Sequence, residues 1–130
     1  YRLEMGAKLV VDGARDLYAF WSDKLARAIA PAGSNTTIVN LASVEYAKAV
    51  LPHLAGDATA VTCLFGEGIR NGKPIQRSTA SKKARGSMVR WMAENKLEDA
   101  SELTAFNIGY RHIPELSDKN TLVFMNAQAL

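Results

Sequence analysis

The stretch from Ser78 to Lys96 constrains this chain most, because it holds a helical period from end to end. Ala84, Met88, Trp91, Met92 and Asn95 recur at helical spacing, which predicts one mainly apolar stripe facing a core. Lys82, Lys83, Arg85 and Arg90 fall off that stripe, and Gly86 and Ala93 lie on the opposite side, leaving a low strip between the basic side chains. A glycine inside a helix costs about 1 kcal/mol relative to alanine. Close approach of another backbone or of a ligand would compensate.

The charges extend the argument. Ser78, Thr79 or Ser81 can cap this helix, which would put Lys82 and Lys83 in or near its first turn. Cations there oppose the helix dipole, but with the free amides of a helix start they make an anion site. From Gly68 to Ala93 the chain carries Arg70, Lys73, Arg77, Lys82, Lys83, Arg85 and Arg90 and no Asp or Glu. The whole chain is only +3, so its positive charge is concentrated here. A phosphate-bearing partner is the expectation, against a merely solvated basic face.

The remaining segments read as a mixed α/β arrangement. Tyr1 to Met5 alternates as a strand, with Arg2 and Glu4 on one face, either as a surface ion pair or lining a cleft. Asp16 can cap a helix from Leu17 to Ala30 whose apolar face is Leu17, Phe20, Trp21, Leu25, Ala28 and Ile29. Thr36 to Leu41 reads as a buried strand feeding a short helix that Pro52 limits. Asn40 and Ser43 stand at the carboxyl end of that strand, where open α/β sheets gather ligands. Each also has a structural reading, Asn40 as a turn former and Ser43 as an N-cap, and Tyr46 follows on the helix. Ala58 to Phe65 is a second buried strand, and Asn71-Gly72 predicts a hairpin pairing Ile69-Arg70 with Lys73 to Arg77. Asp99 and Glu102 fit a capping box opening a short helix to about Phe106. Strands follow at Tyr110 to Ile113 and Thr121 to Met125.

Several chemistries find no support. Cys63 is the single cysteine, excludes an internal disulfide and sits in an apolar run, as a buried structural thiol would. His53 and His112 are far apart and near no carboxylate cluster, so no metal site is expected. No histidine or acid is spaced to make Ser43 a nucleophile, and no catalytic residue is named. No apolar run is long enough to span a membrane. The length fits one domain or part of one, and the start at Tyr1, partway into a strand, suggests that an upstream part is missing.

Taken in order, Tyr1-Arg2-Leu3-Glu4-Met5-Gly6, Leu17-Tyr18-x-Phe20-Trp21, Asn40-Leu41-Ala42-Ser43-x-Glu45-Tyr46, Lys82-Lys83-Ala84-Arg85-Gly86-x-Met88 and Leu122-Val123-Phe124 resemble the C-terminal half of the YaaA family of peroxide-stress proteins. The resemblance implies a twisted mixed sheet flanked by helices, as the C-terminal half of a larger single-domain fold whose own N-terminal half is a partner. It implies a bacterial, cytoplasmic protein of the hydrogen peroxide response that keeps unincorporated iron low and limits oxidative damage to DNA. It also implies a positively charged cleft and DNA binding. Where the family often carries aromatic residues before Lys-Lys-Ala-Arg-Gly, this chain has Thr79, Ala80 and Ser81, so if those aromatics stack on bases this chain lacks that contact.

Two functional readings follow. In the first, Lys82, Lys83, Arg85 and Arg90 contact the phosphate backbone of DNA, and Arg70, Lys73 and Arg77 extend the track, without sequence readout. In the second, Arg2, Glu4, Asn40, Ser43, Tyr46 and the helix start line a cleft for a nucleotide or phosphorylated metabolite. No cofactor is expected in either.

Overall fold

In the computed structural model, residues 17–30, 33 and 36–130 are described. The expected first strand with Arg2 and Glu4, the Asp12-Gly13 turn and the Asp16 cap lie outside them. The chain divides into two compact units, Tyr1–Ala60 and Val61–Leu130. Its strands form a four-stranded mixed sheet and a separate hairpin.

In the first unit, helix α1 (Leu17–Ile29) and helix α2 (Val44–Val50) pack together, followed by a 3-10 turn at Leu51–His53 in which Pro52 ends the helical run. The face α1 buries is not the expected one. Ser22, Ala26 and Ala30 are buried, whereas Trp21, Leu25 and Ile29 are about half exposed, Trp21 at 47%. Small side chains permit close helix approach, and the Ser22 hydroxyl is satisfied locally by donating to the Tyr18 carbonyl. Strand β1 (Thr37–Asn40) was expected to be buried, but only its last residue, Asn40, is.

The second unit holds the larger core. Strand β2 (Thr59–Gly66) runs parallel to β6 (Thr121–Asn126), with Phe65 opposite Phe124. Strand β5 (Tyr110–His112) pairs antiparallel with the other side of β6. In this unit β6 therefore lies between β2 and β5. Along β2 the alternate residues Val61, Cys63 and Phe65 are buried, and Leu122 to Met125 are buried without interruption, as a central strand covered on both faces requires. Phe65 and Phe124 stack at 5.3 Å, and Phe106 meets both edge-on. Helix α3 (Ser78–Glu94) closes this core through Ala84 and Met88, with the half-buried Trp91 edge-on to Phe106 at 5.5 Å.

Asn95, expected on the apolar stripe, is instead exposed at the C-cap, where its side-chain amide donates to the Trp91 carbonyl at 2.8 Å. The helix then ends in a Schellman motif. Leu97 N–H donates to the Met92 carbonyl and Lys96 N–H to the Ala93 carbonyl. That geometry holds Lys96 at φ +49°, a left-handed conformation that costs a side chain roughly 1 kcal/mol relative to glycine. The Asp99 capping box forms as expected, with Asp99 accepting from Ser101 N–H and Glu102 accepting from Asp99 N–H. The element it opens is a 3-10 helix, Ala100–Ala105.

The predicted hairpin is present as β3 (Ile69–Arg70) and β4 (Lys73–Pro74), with Asn71 and Gly72 at φ +54° and +75°. Strand β4 is shorter than expected and does not extend to Arg77, which is the N-cap residue of the next helix. Its base packs tightly: a Cβ on Gly66 would meet the Pro74 ring carbon at 2.8 Å and the Met125 sulfur at 3.1 Å. Gly66→Ala should therefore lower stability by about 1–3 kcal/mol through overpacking, whereas Lys96→Gly should raise it by about 1 kcal/mol. Urea unfolding midpoints check both.

Candidate functional site

The basic helix begins differently from its expectation. Arg77, not a serine or threonine, occupies the N-cap and makes no side-chain cap bond. Ser78 is the first helical residue, so Lys82 and Lys83 lie in the second turn. The amides of Ser78, Thr79 and Ala80 precede the first intrahelical bond, which Ser81 N–H makes to the Arg77 carbonyl at 2.8 Å. Ser81 is buried, and its hydroxyl donates to the Phe65 carbonyl at 3.4 Å. That contact sets the helix start against the carboxyl end of β2. An open groove of about 640 Å³ runs along it, lined by Gln76, Arg77, Ser78, Thr79, Ala80 and Lys83.

Arg70, Lys73, Arg77, Lys82 and Lys83 are all exposed and Arg85 is half-buried. None makes an ion pair with a described residue. Arg90 differs: its guanidinium donates to Glu94 at 2.8 Å, one turn on. Both side chains are largely exposed, so the pair contributes little to stability and an incoming phosphate can compete for the arginine. No described atom comes within 4 Å of where a Cβ on Gly86 would stand, so the strip between the cations is open to the outside.

The site contains residues that the sequence pattern did not single out. Glu67 and Gly68 together oppose the single residue Ile75, with Glu67 N–H donating to Ile75 and Ile75 N–H donating to Gly68, each at 2.7 Å. This bulge re-aims the Glu67 side chain. Its carboxylate accepts from the Tyr110 hydroxyl at 2.6 Å and from the Asn126 side-chain amide at 2.8 Å. Glu67 and Asn126 stand at the carboxyl ends of adjacent parallel strands, so β2, β5 and β6 are tied together where the hairpin leaves. The partners lie 43 and 59 positions away, and no local pattern could have found them. Both Glu67 oxygens accept from neutral donors, and Glu67 makes no ion pair with a described cation.

The other candidates fall in the first unit. Asn40 is buried and its side-chain oxygen accepts from Ala42 N–H at 3.0 Å, which is the turn-forming role. Ser43 occupies the N-cap position of α2 without a side-chain cap bond, and its buried hydroxyl has no partner among the described residues. Tyr46 is exposed. An open groove of about 400 Å³ between α1 and α2 is lined by Tyr18, Ala19, Ser22, Glu45, Lys48, Ala49 and His53, and includes none of the three. Cys63 is buried and burial pushes its thiol up to about 12, so it stays protonated and unreactive. Among the described residues, no group of three His, Cys, Asp or Glu could hold a metal ion, and no helix is long and apolar enough to cross a membrane.

A mixed α+β unit with a basic helix set at the carboxyl end of its parallel strands is thus the setting, and comparison with known proteins places it. Residues 1–116 match the family model for the peroxide stress protein YaaA. The chain is 45% identical over 130 residues to a UPF0246 protein of Desulfitobacterium hafniense, covering 99% of this chain and 51% of that one. It is 43% identical over 125 residues to a UPF0246 protein of Limosilactobacillus reuteri, covering 95% and 49%. A UPF0246 protein of Lachnoclostridium phytofermentans is 40% identical over 131 residues, covering 99% and 50%. The chain belongs to the YaaA (UPF0246) family of peroxide-stress proteins, and it spans about half the length of the curated relatives it matches.

Tyr110 reports on the Glu67 tie. Burial first, then the Glu67 hydrogen bond and charge, push its phenol up to about 12 from 10.0. The folded protein thus holds this proton more tightly than the unfolded chain, and the stability that results is full below about pH 10 and lost as pH rises through about 12. Glu67→Gln should move the Tyr110 titration down toward 10.0 without reaching it, since burial remains. Ultraviolet absorbance against pH reads the shift.

Proposed function

We propose that this chain serves the bacterial peroxide-stress response as a cytoplasmic DNA-binding protein. On this reading Lys82, Lys83, Arg85 and Arg90 of α3 hold the phosphate backbone, with Arg77, Arg70 and Lys73 extending the contact. The observation that carries the proposal is a basic run in which every cation but Arg90 stands without an ion pair to a described residue. Seven cations lie between Gly68 and Ala93 without an acid among them, and the two bracketing acids, Glu67 and Glu94, turn to Tyr110 and Asn126 and to Arg90. Such contacts supply affinity and salt dependence without reading sequence. Limiting iron-dependent oxidative damage to DNA is the role that fits a stress protein of this kind. Any effect on free iron is indirect on this reading.

A second reading has its own support. The free amides of Ser78 to Ala80, beside Lys83 in the open groove, suit a phosphate of a nucleotide or phosphorylated metabolite. Saturable nucleotide binding without DNA binding would favour it.

Fluorescence anisotropy of a labelled duplex and a branched DNA, titrated with the protein at several salt concentrations, separates these readings. For the wild type, affinity should fall steeply with salt. The Lys82→Ala, Lys83→Ala, Arg85→Ala variant, matched in thermal stability, should lower the slope of log K against log salt by roughly 2–3. Absence of wild-type binding at low salt would overturn the DNA reading.

A further inference from the structure

The β3–β4 hairpin has features that a phosphate track does not need. Every residue from Ile69 to Lys73 is exposed. Arg70 and Lys73 are direct cross-strand partners, and like charges placed opposite each other destabilise a ribbon. No acid in the described structure relieves them. Beside them Ile69, an apolar side chain, is 54% exposed. Backbone contact alone calls for cations and gives an exposed isoleucine no role.

The hairpin is also firmly built. Asn71 and Gly72 take the positive φ values of a tight turn. The base is locked by the Gly66–Pro74 approach, by the bulge at Glu67 and Gly68, and by the Glu67 carboxylate on Tyr110 and Asn126. A stiff arm has little conformational entropy to lose on binding.

We propose that this hairpin enters the major groove of a DNA duplex, an inference that rests on the DNA-binding reading above and adds a second kind of contact to it. Two strands about 5 Å apart with their side chains fit a groove about 12 Å wide, and the minor groove, about 6 Å wide, is too narrow. Alternate side chains of a ribbon point to opposite faces. Ile69 faces the groove floor, where the thymine methyl offers an apolar contact found only in the major groove. Arg70 and Lys73, on the other face and longer, reach the phosphates at the rims and are what holds the arm down in the groove. The deep, narrow major groove of duplex RNA does not admit the arm, so the partner is DNA.

The test uses the whole chain on an A·T-rich duplex and on the same duplex with uracil in place of thymine, which removes only the methyl groups. The wild type should bind the uracil duplex about three- to tenfold more weakly, and Ile69→Ser should abolish that difference while retaining salt-dependent binding. Dimethyl sulfate footprinting on a duplex containing guanines should show N7 protection by the wild type that Arg70→Ala, Lys73→Ala loses. Circular dichroism checks that both variants fold, and their substitutions leave the hairpin's backbone pairing in place. Equal wild-type affinity for the two duplexes, or N7 protection that survives in the hairpin variant, overturns the groove assignment and leaves the helix contact standing. Absence of any wild-type DNA binding overturns both.

Discussion

The stack of Phe65 on Phe124 is the contact from which the second unit is built. It pins β2 beside β6 in parallel register, and Phe106 and Tyr110 meet the Phe65 ring edge-on from two other segments. Aromatic pairs of this kind add about 0.5–1.5 kcal/mol each beyond the area they bury. The residue's backbone matters as much, because its carbonyl accepts the Ser81 hydroxyl and so sets where α3 begins. The next two residues continue the same logic: Gly66 makes room for Pro74, and Glu67 joins β5 to β6. Core, helix start and hairpin base therefore meet within three consecutive positions.

That arrangement explains how a modestly charged chain presents a concentrated basic surface. The cations are spread along a hairpin, a loop and a helix, and each of these leaves the core from the same end of β2. Glu67 could have neutralised one of them. Its two oxygens instead satisfy a phenol and an amide that need acceptors, and a carboxylate is an acceptor-only group suited to both. The cost of placing Lys82 and Lys83 near a helix start is reduced by their exposure in the second turn, where solvent screens them and the dipole effect has fallen off.

Much of the fold was legible beforehand because its signals are local. The Asn71-Gly72 turn and the Asp99 capping box each depend on neighbours a few residues away, and each is present, whereas β2, expected to be buried throughout, buries alternate residues along most of its length. Pattern is a poor guide where burial decides. Trp21, Leu25 and Ile29 recur with the period of a core face, yet α1 buries Ser22, Ala26 and Ala30. Periodicity shows that a helix has faces, but which face is covered depends on what packs against it. Ser78 and Thr79 are good capping residues that stand one and two positions inside the helix. Ser81 is buried by tertiary contact with β2.

By itself the sequence determined the elements, the hairpin turn, the buried thiol and the acid-free run of seven cations, since all of these follow from residue type and short spacing. Its motifs also pointed to the family. Only the tertiary structure decided which of those cations stand unpaired and that Glu67, Tyr110 and Asn126 form one hydrogen-bonded unit. The reason is distance along the chain. A hydrogen bond between residues 43 or 59 positions apart leaves no local signature, and it exists only once β2, β5 and β6 are brought side by side.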